Sequence, residues 1–201
     1  ISEATFTVEP KLDGLTVVLH YKDGVFDQGA TRGDGEIGED ITANLRTIKA
    51  IPLRIPVNSD QCPVVSGQDE LPLFKDSPSL ITEYSPPEYL VVRGEVFITH
   101  ADFAALNKRQ EEAGEKTYLN PRNTAAGALR QLDSRVTATR PLTLFIYQIV
   151  HAEGGEVPNS QWERLEYLRE LGFPVNTDLR HFDDLEEMIH FVEGCEETRD
   201  Q

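Results

Sequence analysis

From Leu15 to Tyr21 the chain alternates: Leu15, Val17, Leu19 and Tyr21 take one parity, Thr16, Val18 and His20 the other, and Asp23-Gly24 follows. Successive strand side chains point to opposite faces, so the pattern predicts a half-buried strand, and the dipeptide predicts a tight hairpin turn. A chain that runs from Phe6 to Phe26 in this way begins antiparallel. That start decides how the next glycines are read. Gly33-Asp34-Gly35-Glu36-Ile37-Gly38 has the spacing of a dinucleotide-binding loop, but such a loop follows the first strand of a parallel sheet and presents bare N–H groups to a pyrophosphate. Here Asp34, Glu36, Glu39 and Asp40 would repel one. The Rossmann reading is rejected.

Further along, Glu39 to Ile48 suits a short helix, stopped by Pro52 and Pro56. Residues 58–87 are polar, carry five prolines and show no period, which predicts a loop insertion. Tyr89 to Ile98 has apolar residues on both faces and predicts a central strand. Thr99 with Asp102 opens a helix bearing Phe103 and Leu106 that stops at Gly114, and a second helix is predicted from about Asn123 to Leu132. Pro141 to Val150 predicts a buried strand. Ser160 with Glu163 caps a helix through Trp162, Leu165 and Leu168, and a last helix is expected from Asp184 to Val192. No repeat is visible. The whole reads as one α+β domain of mixed or antiparallel sheets flanked by helices.

The 201 residues suffice for one sizeable core. No apolar run of about 18 residues and no signal-peptide pattern occur, so a soluble, intracellular chain is expected without a membrane partner. Cys62 and Cys195 are far apart and lack metal-ligand spacing, which predicts ordinary thiols and no metal site. Thirty-five acids against 19 bases leave a net charge of −16, the wrong sign for a domain that grips nucleic acid unaided. Arg122, Arg130, Arg135 and Arg140 are nonetheless close enough in sequence to form a local basic patch.

Chemistry concentrates in a few short segments. In Glu9-Pro10-Lys11-Leu12-Asp13-Gly14, an extended backbone would put Lys11 and Asp13 on one side and Leu12 on the other. Free lysine has a pKa of about 10.4, so a lysine nucleophile needs desolvation or neighbouring cations; the plain alternative is a surface ion pair. Thr31-Arg32-Gly33-Asp34-Gly35 sets a guanidinium among glycines, able to reach phosphate or ribose oxygens or simply to sit in a turn. Glu95, within a predicted buried strand, requires an ion pair, a ligand hydroxyl or a metal. Asn120 to Gln131 is rich in small residues, with Arg122 near a helix start and Arg130 about two turns on. Tyr147 is either a stacking platform or core.

In content and order these motifs resemble the nucleotidyltransferase (adenylation) domain of bacterial NAD-dependent DNA ligases: Glu9 to Gly14, Ala30 to Gly35 with Gly38 to Asn44, Val92 to Val96, and Asn120 to Asp133. The lysine motif alone is shared with ATP-dependent ligases and capping enzymes; the loop Thr31 to Gly35 and the segment Asn120 to Asn123 point to the NAD branch. The resemblance implies a nucleotidyltransferase, ATP-grasp-like fold, and a Lys11 that attacks the α-phosphorus of NAD and holds AMP. It implies adenine contacts from Glu9 and the backbone around Leu12, ribose contacts from Arg32 and Glu95, Asp13 beside the lysine, and Tyr147 stacked on the base. Arg122 and Arg130 match phosphate or DNA contacts. Magnesium is the implied cation, with zinc only in other parts of such enzymes. A cytoplasmic, monomeric ligase of nicked DNA in replication and repair is the implied parent.

The departures are equally specific. Two lysines that close over the nucleotide in this family have no counterpart, since no lysine follows Lys116. The expectation is a fragment, adenylation domain 1–201 incomplete at its C-terminal end, that binds DNA weakly and does not ligate alone. Gln148 replaces the usual glycine, and 58–87 is longer than usual. An ATP-dependent transferase and a catalytically silent nucleotide-binding module remain as alternatives.

Overall fold

The structure, a computed structural model, describes residues 4–35, 37–56 and 86–199, with side chains to Cys195. The expected insertion at 58–87 therefore lies outside the described residues except for its last two prolines, and Cys62 lies outside them altogether. Six strands and six helices are described: β1 (Phe6–Val8), β2 (Leu15–Lys22), β3 (Val25–Thr31), α1 (Thr42–Leu45), β4 (Tyr89–Phe97), α2 (His100–Glu112), α3 (Pro121–Leu129), α4 (Ser134–Ala138), β5 (Thr143–Glu153), α5 (Gln161–Glu170), β6 (Arg180–Phe182) and α6 (Leu185–Arg199).

The main sheet has the order β3-β2-β4-β5, and every pair in it is antiparallel. β4 lies between β2 and β5, in the interior of the sheet as expected. The β2–β3 hairpin closes between Lys22 and Val25, and Asp23 and Gly24 both take positive φ, 49° and 71°, the pair of left-handed residues that a two-residue turn needs to match strand twist. β1 and β6 form a separate two-stranded antiparallel ribbon, Phe6 opposite Phe182. The fold is α+β with antiparallel sheets.

One face of the main sheet is the core. Val17, Leu19 and Tyr21 from β2 meet Leu90, Val92 and Val96 from β4 and Leu144 and Ile146 from β5, covered by Ile48, Ile51, Leu165, Leu168 and Phe173. The opposite parity carries Thr16, Arg93 and Glu95, and this polar face holds the cavity described below. Helix starts follow their caps: Thr99 accepts from the Asp102 N–H, and Ser160 and Glu163 form a full capping box. Among the described residues no helix is long and apolar enough to cross a membrane.

Two expectations need correction. Lys11 is not on a strand: residues 9–13 form an irregular connection between β1 and β2, because Pro10 donates no ladder bond. The helix expected at 123–132 starts earlier, with Pro121 in its first turn and Asn120 as its cap, and ends at Leu129. Asp133 then caps a separate short helix, α4.

Leu19 is completely buried whereas Val25 is 39% exposed. Leu19→Ala is expected to lower unfolding free energy by about 2–5 kcal/mol and Val25→Ala by under about 0.5 kcal/mol, read from urea midpoints; equal shifts would refute this packing. Burial, with a smaller contribution from Glu170, pushes the Tyr167 phenol up to about 12, and burial raises that of Tyr21 as well. A phenol raised above its unfolded value of about 10 makes the native state hold more protons between the two values, so stability is full below pH 10 and falls as pH rises through that window. Tyr167→Phe should flatten the fall in a pH series of unfolding curves, and an unchanged slope would count against it.

Candidate active site

The segment bearing Lys11 is tied to the sheet at Gly14. A Cβ there would stand 2.2 Å from the carbonyl oxygen of Val96, so only glycine lets β2 enter so close to β4. The Gly14 N–H then donates to Glu95 Oε1 at 3.1 Å, and the Thr16 hydroxyl donates to Oε2 at 2.8 Å. Glu95 is 9% exposed, and these two donors, one on each oxygen, provide the partners its buried carboxylate requires. Spare lone pairs on both oxygens remain for a ligand hydroxyl.

A cavity of about 500 Å³ opens here, lined by Glu9, Lys11, Leu12, Arg32, Glu95, Arg122 and Tyr147 together with Pro10, Thr16, Phe145, Ile146, Val175 and Asn176. Seven of the nine residues singled out from sequence thus meet in one place. Asp13 and Arg130 are not in the lining. Leu12 lines the cavity beside Lys11, while the Asp13 carboxylate accepts from Arg122 Nη1 at 3.0 Å, so the strict alternation expected of a strand fails where the strand does. Burial raises the phenol of Tyr147, although the Thr16 hydroxyl and the nearby Arg93 and Arg32 pull the other way. The cations Lys11, Arg32 and Arg122 enter from three separate segments, and an aromatic wall of Phe145 and Tyr147 lies among them. Such a site suits a flat ring carrying an anionic tail.

Arg32 is held by its loop. Gly33 has φ +56°, and a Cβ there would collide with the carbonyl of Ile37; the Asp34 carboxylate accepts from the Ile37 N–H at 2.8 Å. These bonds close a turn on the end of a hairpin strand, not the start of a helix, in keeping with rejection of the dinucleotide-loop reading. The same loop reaches Arg130: Glu39 pairs with it at 3.1 Å. Asn44, 5% exposed, donates to the carbonyls of Leu129 and Gln131, which flank Arg130. Arg130 therefore stands outside the cavity on a turn clamped by α1.

Thr16, Asn44, Phe145, Val175 and Asn176 escaped the sequence reading. Thr16 alone had a signal, its place on the polar parity of β2; Val175 and Asn176 arrive because the Ile146 N–H donates to the Pro174 carbonyl at 2.8 Å. A second concavity of similar volume runs along α3 and Lys116 to Asn120 and contains none of the expected catalytic or nucleotide-contacting residues. Among the described residues no group of three or more His, Cys, Asp or Glu side chains forms a cation site.

The sequence matches the family model of the NAD-dependent DNA ligase adenylation domain over residues 1–71 and 69–201. The chain belongs to that family. It is 50% identical over 196 residues to a DNA ligase of Chloroflexus aggregans, covering 98% of this chain and 26% of that protein. A DNA ligase of Roseiflexus castenholzii is 47% identical over 202 residues, 100% of this chain and 26% of the relative, and one of Myxococcus xanthus is 47% identical over 171 residues, 85% and 22%. The chain thus spans about a quarter of the length of these curated relatives.

Within this adenylation domain the buried Asn44 clamp and the exposed Glu39–Arg130 pair differ in kind. Asn44→Leu strands one buried and one part-buried carbonyl and is expected to cost about 1–3 kcal/mol, whereas Glu39→Gln, breaking a pair whose side chains are 65% and 56% exposed, should cost under about 1 kcal/mol. Thermal unfolding of the two variants checks this, and a reversed order would remove the clamp from the account.

Proposed function

We propose that this chain is the adenylation domain of an NAD-dependent DNA ligase and that Lys11 is its nucleophile. The observation that carries the reading is the convergence of Lys11, Arg32, Arg122, Glu95 and Tyr147 on one cavity from segments distant in sequence. NAD is the substrate: the Lys11 Nζ lone pair attacks the α-phosphorus, a P–N bond forms, the bond to nicotinamide mononucleotide breaks, and the amine gives up a proton. Arg32 and Arg122 neutralise charge that builds on the phosphoryl oxygens, and electrostatic stabilisation of this kind is worth more in a sheltered cleft than in water. Glu95 takes the ribose hydroxyls on the lone pairs left by Gly14 and Thr16. Tyr147 stacks on adenine, Glu9 and the backbone at Leu12 read its edge, and Asp13 fixes Arg122 beside the lysine.

The rest of the reading concerns the whole protein. Residues 1–201 make one nucleotidyltransferase-type, ATP-grasp-like domain; the complete enzyme transfers AMP to a 5′-phosphate and seals a nick in DNA. Arg130 contacts the DNA, and weak or no binding by this chain alone agrees with its charge of −16. Magnesium accompanies this chemistry in the family, but the described residues do not form a cation site of their own, so no step is assigned to it. A cytoplasmic monomer completes the proposal.

The test is the intact mass of the chain with its natural flanking segments, before and after NAD and magnesium, with Lys11→Ala alongside. One AMP added to the wild type and none to the variant is the expected result. An adduct from ATP but not NAD would move the protein to the other ligase branch, and none from either would leave a silent nucleotide-binding module.

A further inference from the structure

Gln161 is the first residue of α5, immediately after the Ser160 cap. Its side chain does not serve the helix. The amide nitrogen donates to Glu9 Oε1 at 3.0 Å and to the carbonyl oxygen of Tyr147 at 2.9 Å, so both of its N–H groups are committed. Glu9 lies on the irregular connection before Lys11, and no strand holds it; Tyr147 lies in β5. Gln161 therefore fastens a carboxylate on an irregular segment to the backbone of β5 at Tyr147, at the wall of the cavity that Glu9 and Tyr147 both line. The capping box between Ser160 and Glu163 fixes the turn from which the amide reaches, with the Glu163 N–H donating to Ser160 Oγ at 3.2 Å and the Ser160 N–H to Glu163 Oε2 at 3.3 Å.

An ionised carboxylate only accepts. With one oxygen held by the Gln161 amide, the other presents acceptor lone pairs to whatever stacks on Tyr147. A base edge that donates, such as the exocyclic amine of a 6-aminopurine, satisfies it. A 6-oxopurine sets a carbonyl against it, two acceptors with no proton between them, and sites built around a required hydrogen bond reject such analogues strongly. We propose that Gln161 is a positioning residue for base selection: by fixing Glu9 it makes the pocket choose a 6-amino over a 6-oxo purine. A carboxylate freed from Gln161 can turn toward water, and the choice weakens although the reaction at Lys11 does not. This inference rests on the functional reading given above.

The experiment uses the full-length protein containing this chain and measures single-turnover formation of the Lys11 adduct from NAD and from its 6-oxo analogue, nicotinamide hypoxanthine dinucleotide. Gln161→Leu removes the donor, and Gln161→Glu, of the same shape, replaces it with an acceptor that repels Glu9; the second variant carries the test should the first not fold. Both are expected to lower the preference for NAD, as a ratio of kcat/KM values, by about tenfold or more, with the maximal rate from saturating NAD nearly unchanged. An adduct whose base preference is the same in all three proteins would overturn the role of Gln161 alone. No adduct from either dinucleotide in the wild type would overturn the reading of the cleft and this inference with it.

Discussion

Glu95 holds its carboxylate on the polar face of the sheet at 9% exposure, and the geometry of the cleft descends from how that group is satisfied. A buried carboxylate without donors costs several kcal/mol, roughly the scale of a domain's whole stability. Its donors are the N–H of Gly14 and the hydroxyl of Thr16, which are the first and third residues after the Lys11 connection. Glu95 thus fixes where that connection joins the sheet, and Gly14 permits the approach because its missing Cβ leaves room for the Val96 carbonyl. The lysine is placed from below by a strand it does not belong to.

Much of the scaffold was legible because its signals are local. The alternation in β2, the Asp23-Gly24 turn and the capping residues at Thr99 and Ser160 each act over four to eight residues, and each appears where expected. What was not legible depends on partners far away. β6 is three residues long and exists because Arg180 to Phe182 pair with β1, a ladder no local pattern announces. The Lys11 segment looked like a strand by spacing, yet no ladder forms over residues 9–13. The helix with Arg122 starts about two residues before the expected Asn123, because Asn120 caps it and Pro121 fits its first turn.

The two arginines of α3 and its cap show how an acidic chain can still present cations. Arg122 is paired with Asp13 and Arg130 with Glu39, and all four side chains are more than half exposed. Exposed pairs of this kind are worth about 0–1 kcal/mol, so each carboxylate holds its guanidinium in place without competing strongly with a phosphate. On the proposed reading, the carboxylates keep both arginines extended in the free protein, and a polyanion displaces them with little penalty. The net charge of −16 then opposes indiscriminate association while leaving these local contacts usable.

Residues of the cleft that sequence reading found are those whose chemistry is conspicuous in its setting: a lysine between a proline and a glycine, an arginine among glycines, a carboxylate in an apolar strand. Among the residues it missed are amides whose local roles already look complete. Gln161 reads as an ordinary first residue of a capped helix, yet its partner Glu9 is 152 positions away; Asn44 reads as part of a short polar helix, yet it holds carbonyls 85 and 87 positions on. An amide can donate across such a gap without a charge that a sequence pattern would register, and burial makes the bond count because the alternative is an unsatisfied partner. Positioning groups are for that reason hidden in the sequence where the groups they position are plain.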